Sequence, residues 1–224
     1  MKKDKKLKIA IALNIIIAVL FILSFILLYY EISFMDGYDF ASKISRTEIF
    51  KYFTIESNLF MAVMAIIFAI DEIKILKGKL KEISLTKYIL KLVSTSCVAL
   101  TLTVVFVWLG PTTPGGIKTM LMNSNLFLHL IIPVLSIIVF IVFEKTNKMT
   151  FKHTLYGLIP LGVYGFVYLP NVITHMHNGQ ISRQYDFYNY FQKGVLIAVI
   201  AFTVQYIVMY LITVLLWKFN KKTK

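Results

Sequence analysis

The residues best suited to chemistry in this sequence are a threonine and a histidine that lie within apolar stretches. Thr54 and Asn58 are four residues apart, as are Asn125 and His129, and residues at this spacing share one face of a helix. A hydroxyl becomes a useful nucleophile when a neighbouring base takes its proton, and imidazole is the side chain whose ordinary pKa best suits that task near neutral pH. The sequence therefore predicts Thr54 as a nucleophile and His129 as its base.

Four further polar residues are predicted to support this pair. Asn58, Asn125, Tyr164 and Tyr168 lie in the same kind of apolar stretch, and the two tyrosines also share a helix face. If these faces pack together, they line a polar intramembrane cleft that opens outward, away from the cytoplasm. Glu56 points about 200° away from Thr54 on an ideal helix, so it is the weaker candidate for orienting the histidine.

Each candidate also has a non-catalytic interpretation. A threonine in a membrane helix commonly donates its hydroxyl to a carbonyl of its own helix. An intramembrane histidine or asparagine commonly makes a hydrogen bond that holds two helices together. The tyrosines would fill space where Gly157, Gly162 and Gly165 allow helices to approach closely.

The elements that must position these residues are transmembrane helices. The chain is 58% hydrophobic, and its mean hydropathy is +0.75. Apolar stretches near the ~20 residues that a helix needs to cross a bilayer recur along it, and unpaired backbone groups are excluded from lipid. We predict an all-α polytopic membrane protein, with residues 1–224 forming a single six-helix bundle. The predicted spans are about 9–30, 51–70, 88–109, 121–143, 154–173 and 194–217.

The distribution of basic residues predicts the orientation. Of the 24 lysines and arginines, 18 fall in the termini and in alternate loops, which would all lie on one side. The side richer in lysine and arginine is normally cytoplasmic. We therefore expect both termini in the cytoplasm and a location in the cell membrane. The net charge of +13 follows from this bias, so we expect no nucleic-acid partner.

Several other kinds of site are disfavoured. Cys97 is the single cysteine, so an intrachain disulfide is excluded. His175 and His177 do not share a helix face, and we expect no metal and no cofactor. The aromatic loop 174–193 is typical of an interfacial belt or of a cap over a pocket. No predicted span shows the conspicuous charge or broken helix typical of ion-coupled transport.

Three segments resemble a known family. Residues 51–59 (KYFTIESNL), and residues 125–133 (NLFLHLIIP) with the stretch that continues to Glu144, are similar to the androgen-induced protein family and its bacterial six-span relatives. Residues 164–170 (YGFVYLP) are similar to that family's fifth span. The animal members are membrane hydrolases that cleave fatty-acid esters of hydroxy fatty acids with an intramembrane threonine and histidine. The resemblance implies these roles for Thr54 and His129. The sequence after the threonine, and a histidine four residues before Pro133, are closer to the bacterial relatives.

Two functions are consistent with these observations. The first is a threonine-dependent hydrolase of lipid esters, with membrane lipids as partners and a lipid ester as substrate. The second is a non-enzymatic membrane protein, either a small-molecule transporter or a structural or signalling component.

Overall fold

A computed structural model shows a helical protein. It describes residues 3–35, 46–113, 115–177, 181–182, 184–186, 188 and 190–221, and these contain no β-strand. Seven helices are named here in chain order: α1 Lys3–Tyr29, α2 Phe53–Leu76, α3 Leu85–Thr112, α4 Gly116–Met120, α5 Ser124–Phe143, α6 Phe151–Thr174 and α7 Val195–Asn220. The bounds of α3 and α5 include π-helical turns, at Val105–Leu109 in α3 and at Phe127–Ile131 and Val139–Phe143 in α5.

Five helices are long and apolar enough to cross a membrane, namely α1, α3, α5, α6 and α7. Their positions agree with five of the six predicted spans, so a multi-pass membrane protein is supported. The remaining predicted span, 51–70, corresponds to α2, which carries Glu56, Asp71, Glu72 and Lys74. This helix continues six residues beyond the predicted end because Asp71 and Glu72 are buried in the bundle rather than exposed in a loop.

The helix at the centre of the bundle is α3. It contacts α2, α5, α6 and α7. In its most apolar 18-residue stretch 61% of the residues are buried, whereas the corresponding stretch of α7 is 17% buried. Ser94, Thr95 and Ser96 are fully buried in α3, and each hydroxyl donates to a carbonyl of its own helix. This bonding allows small polar residues to occupy the middle of the bundle.

The outer surface of the bundle is strongly apolar. Phe166 on α6 is 82% exposed and Leu196 on α7 is 72% exposed. Such a surface is costly in water and favourable against lipid chains.

The two ends of the bundle differ in composition. At one end, loops 77–84 and 144–150 meet, because Lys148 contacts Glu82 and the Ile83 carbonyl. We call this the basic end, since lysines of the predicted cytoplasmic loops gather there. At the opposite end, residues 46–52 meet the tyrosines of loop 184–193, and we call this the aromatic end.

Candidate functional site

The aromatic half contains a cavity of about 590 Å³ between α2 and α6, which we call the lateral groove. Its lining consists of Phe50, Lys51, Phe53, Glu56, Ser57, Phe60, Cys97, Pro160, Val163, Tyr164, Val167, Tyr168 and Asn171. Val163 and Val167 on its rim are 61% and 66% exposed. The groove therefore opens sideways, onto the apolar outer surface.

The lateral groove is polar at one end and apolar at the other. Lys51, just before α2, and Asn171 of α6 lie toward the aromatic end, whereas Phe60 of α2, Cys97 of α3 and Pro160 of α6 lie deeper in the bundle. The seven steps from Phe53 to Phe60 span about 10 Å along α2 at 1.5 Å per residue. This gradient matches a molecule with a polar head and an apolar tail.

Thr54 lies on the wall of a second, smaller cavity of about 40 Å³. Phe53 and Tyr164 line both cavities, so the two adjoin. Thr54 is half-buried in the first turn of α2. The volume is sufficient for a water molecule or a small polar group.

The Thr54 hydroxyl differs from most other helical threonine hydroxyls of the bundle. Those of Thr95, Thr101, Thr103, Thr154, Thr174, Thr203 and Thr213 each donate to a carbonyl three or four residues earlier. Within the described part of the chain, the Thr54 hydroxyl makes no such bond. This arrangement differs from the back-bonded interpretation of Thr54 and leaves its oxygen available to a ligand.

His129 is buried in the π-helical turn Phe127–Ile131 of α5. Its Nδ1 lies 2.8 Å from the Met120 carbonyl oxygen. Because a carbonyl can only accept, Nδ1 carries the proton and Nε2 of the neutral ring carries the free lone pair. This is the tautomer that a base acting through Nε2 requires.

Thr54 and His129 are linked through Asn58 rather than by direct contact. The Asn58 amide Nδ2 donates to the Thr54 carbonyl at 2.7 Å and to the Leu128 carbonyl at 3.1 Å. No hydrogen bond joins the Thr54 and His129 side chains among the residues that the structure describes. His129 is also absent from the lining of the cavity that Thr54 faces.

Of the other predicted site residues, Tyr164 and Tyr168 line the cavities, and Asn125 lies in the core. Tyr164 donates its hydroxyl to the Lys51 carbonyl at 2.6 Å and tethers α6 to the start of α2. Tyr168 stacks on Tyr164 and donates to Asp186 at 2.5 Å. Asn125 is buried one helical turn before His129, and its backbone N–H donates to the Met122 carbonyl.

Tyr188 and Tyr190 cap the smaller cavity with their phenol groups. The Tyr188 hydroxyl accepts from the Phe53 backbone N–H at 3.0 Å, and Tyr190 contacts Gln205. Burial raises the pKa of Tyr188, and it raises the pKa of Tyr190 to about 12. Both phenols are therefore neutral at physiological pH, and neither is a base for Thr54.

Sequence analysis missed a group of buried charges at the basic end. Glu72, Lys91 and Glu144 are each at most 3% exposed and meet at the Asn14 amide. Lys91 is one of the 18 lysines and arginines that the charge distribution assigned to the termini and cytoplasmic loops, and the spans were predicted to lack a conspicuous charge. The asparagine within the first apolar stretch and the acidic pair that ends the second are the signals that point to this group.

The described residues contain no cluster of three or more histidine, cysteine, aspartate or glutamate side chains arranged to hold a metal ion. In comparisons with known proteins, no family model, no curated protein and no solved structure matches this chain.

Proposed function

We propose that this protein is a six-span membrane protein, with both termini cytoplasmic, that binds a lipid-like molecule in the lateral groove. The observation that carries the proposal is the cavity of about 590 Å³, which opens onto the apolar outer surface. Ligand sites of this size are concave and mostly apolar, with a few polar groups that fix orientation. The ligand's polar head lies near Lys51 and Asn171, and its acyl chain extends past Phe60.

Binding is tested with a photoreactive, acyl-chain-labelled ester and the purified protein in lipid nanodiscs. Val163→Trp places a large ring at the rim of the groove and is expected to reduce crosslinking severalfold. Val199→Trp is the matched control, because Val199 is 54% exposed on α7 and lies outside the groove lining. Equal labelling of the two variants would reject the groove as the binding site.

The proposed topology is tested by cysteine labelling of intact and permeabilised cells in a Cys97→Ser background. Lys5 is exposed in the first turn of α1, Arg46 is exposed before α2, and Lys79 is exposed after α2. We expect Arg46→Cys to react with an impermeant maleimide in intact cells. Lys5→Cys and Lys79→Cys should react only after permeabilisation. Reaction of Arg46→Cys and Lys79→Cys from the same side would exclude α2 as a span.

A second candidate function is hydrolysis of the bound ester, and the free hydroxyl of Thr54 favours it. In this reaction Thr54 Oγ1 attacks the ester carbonyl carbon while its proton passes to His129 Nε2. The alcohol then leaves with that proton, and water hydrolyses the acyl-threonine. Catalysis requires His129 Nε2 to come within hydrogen-bond reach of Thr54 Oγ1. The side chains of Thr54 and His129 must therefore move closer together than they are when linked through Asn58.

Hydrolysis is tested with the same ester by product release. Thr54→Ala and His129→Ala should each abolish turnover while crosslinking in the groove persists. Thr103→Ala is the control, because Thr103 is half-buried and its hydroxyl is bonded to the Ala99 carbonyl. Groove binding without turnover in the unmodified protein would leave a non-enzymatic lipid-binding function.

A further inference from the structure

The buried charges at the basic end and the Asn14 amide that joins them come from three helices and one loop. Lys91 Nζ of α3 lies 2.7 Å from Asn14 Oδ1 of α1 and 3.4 Å from Glu144 Oε1, just after α5. Asn14 Nδ2 donates to Glu144 Oε1 at 2.7 Å and to Glu72 Oε2 of α2 at 3.2 Å. One amide therefore connects one ammonium group to two carboxyl groups.

The charges in this group do not balance when all three residues are ionised. Lys91 offers a single positive charge to two carboxylates, and the Lys91 and Glu144 side chains are 0% exposed. The neighbouring cations have other partners: Lys87 pairs with Asp71 at 2.6 Å, and Lys148 pairs with Glu82 at 2.7 Å. Tyr88 on α3 and Asn220 on α7 face the group without adding positive charge.

An uncompensated carboxylate inside a protein is strongly destabilising, and such a group normally takes up a proton instead. The oxygen that would carry this proton is Glu144 Oε2. Its Oε1 already faces both Asn14 and Lys91, whereas its buried Oε2 has no hydrogen-bond partner among the described residues.

We propose that Glu72, Lys91 and Glu144 form a proton-binding site in which the two glutamates hold one exchangeable proton. The protonated site is neutral overall, with one carboxylate paired to the Lys91 ammonium and one carboxylic acid. Release of the proton leaves one net negative charge in the bundle. This site is separate from the lateral groove and does not depend on the proposed lipid binding.

The site has a short route to the basic end. Glu72 is four residues before the end of α2, about 6 Å along the helix axis. The adjacent Asp71 is bonded to Lys87, whose side chain is 39% exposed. A proton can therefore exchange with the compartment at the basic end without crossing the core.

Infrared spectroscopy of the protein in nanodiscs tests the proposal, because a protonated carboxyl group absorbs separately from a carboxylate. At neutral pH we expect one buried carboxylic-acid band in the unmodified protein, and this band should disappear as the pH is raised. Glu72→Gln and Glu144→Gln should each remove it, since the remaining carboxylate is then balanced by Lys91. Asp71→Asn is the matched control and should retain the band.

Isotope labelling keeps the test valid if a glutamine variant does not fold. Glu72 and Glu144 are the buried glutamates of the described chain, so carbon-13 in glutamate carboxyl groups must shift the band of the unmodified protein. Three results would overturn the proposal: no buried acid band at neutral pH, a band that glutamate labelling does not shift, or a band that persists in both glutamine variants.

Discussion

The Asn58 side chain of α2 donates a hydrogen bond to the backbone carbonyl of Leu128 in α5, at 3.1 Å. The same nitrogen donates to the Thr54 carbonyl one turn earlier in its own helix. Leu128 directly precedes His129, in the π-helical turn that holds the imidazole. Asn58 therefore fixes the position of the first turn of α2 relative to that of the histidine.

Loss of this link should weaken the contact between α2 and α5. We expect Asn58→Ala to destabilise the protein by about 1 kcal/mol, the usual scale of interhelical hydrogen bonds in membrane proteins. Unfolding in mixed detergent micelles measures the change. Ser136→Ala is the control, because Ser136 of α5 is buried and its hydroxyl bonds within its own helix. Equal stability of the two variants would contradict an interhelical role for Asn58.

Removal of the Lys91 charge should be far more costly. Lys91→Met leaves two buried carboxyl groups without a cation, and breaking a buried ion pair in this way typically costs about 3–5 kcal/mol. Adding Glu144→Gln to Lys91→Met should recover part of the loss, because one buried carboxyl group is then gone. Thermal unfolding in detergent measures both changes. Glu82→Gln is the comparison: its side chain is 70% exposed, so we expect a change of at most about 1 kcal/mol. A Lys91→Met variant as stable as Glu82→Gln would show that the buried group adds no stability.

The carboxylate of Asp186 should determine whether the cap over the smaller cavity is ordered. It accepts from the Tyr168 hydroxyl and from the backbone N–H groups of Tyr190, Phe191 and Gln192. Asp186→Asn replaces an acceptor oxygen with a donor, and we expect a loss of roughly 1–3 kcal/mol as buried donors lose their partner. Hydrogen exchange should become faster at residues 190–192 and stay unchanged in α3. Unchanged exchange at 190–192 would show that the cap does not depend on this carboxylate.

The helices were predictable because hydropathy is a local property, and each predicted span overlaps a helix. The burial of Lys91 was not predictable from the sequence, since a lysine near a helix end ordinarily extends its ammonium group to water. Here it is retained by Asn14, which lies 77 residues earlier in the sequence. The free hydroxyl of Thr54 was likewise not predictable from the sequence. Its position in the first turn of α2, where the Lys51 carbonyl is used by Tyr164, is set by tertiary structure.

The close approach of α6 and α7 depends on Gly157. A Cβ atom at this position would overlap Thr213 Oγ1 and lie 2.8 Å from Cγ2 and 2.9 Å from Cβ of the same residue. Thr213 is fully buried, and its hydroxyl is bonded to the Met209 carbonyl. Its side chain is therefore held in its present rotamer. We expect Gly157→Ala to separate the two helices at a cost of about 1–3 kcal/mol.

Gly162 in the same helix provides the matched control for this contact. A Cβ there would lie 3.6 Å from the Tyr206 hydroxyl, an ordinary contact distance, so Gly162→Ala should be neutral or gain up to about 1 kcal/mol from helix propensity. Thr213→Ala removes the two atoms beyond Cβ and should recover part of the Gly157→Ala loss. Unfolding in mixed micelles distinguishes these outcomes. If Gly157→Ala proves as stable as Gly162→Ala, then α6 and α7 do not require a glycine at their crossing.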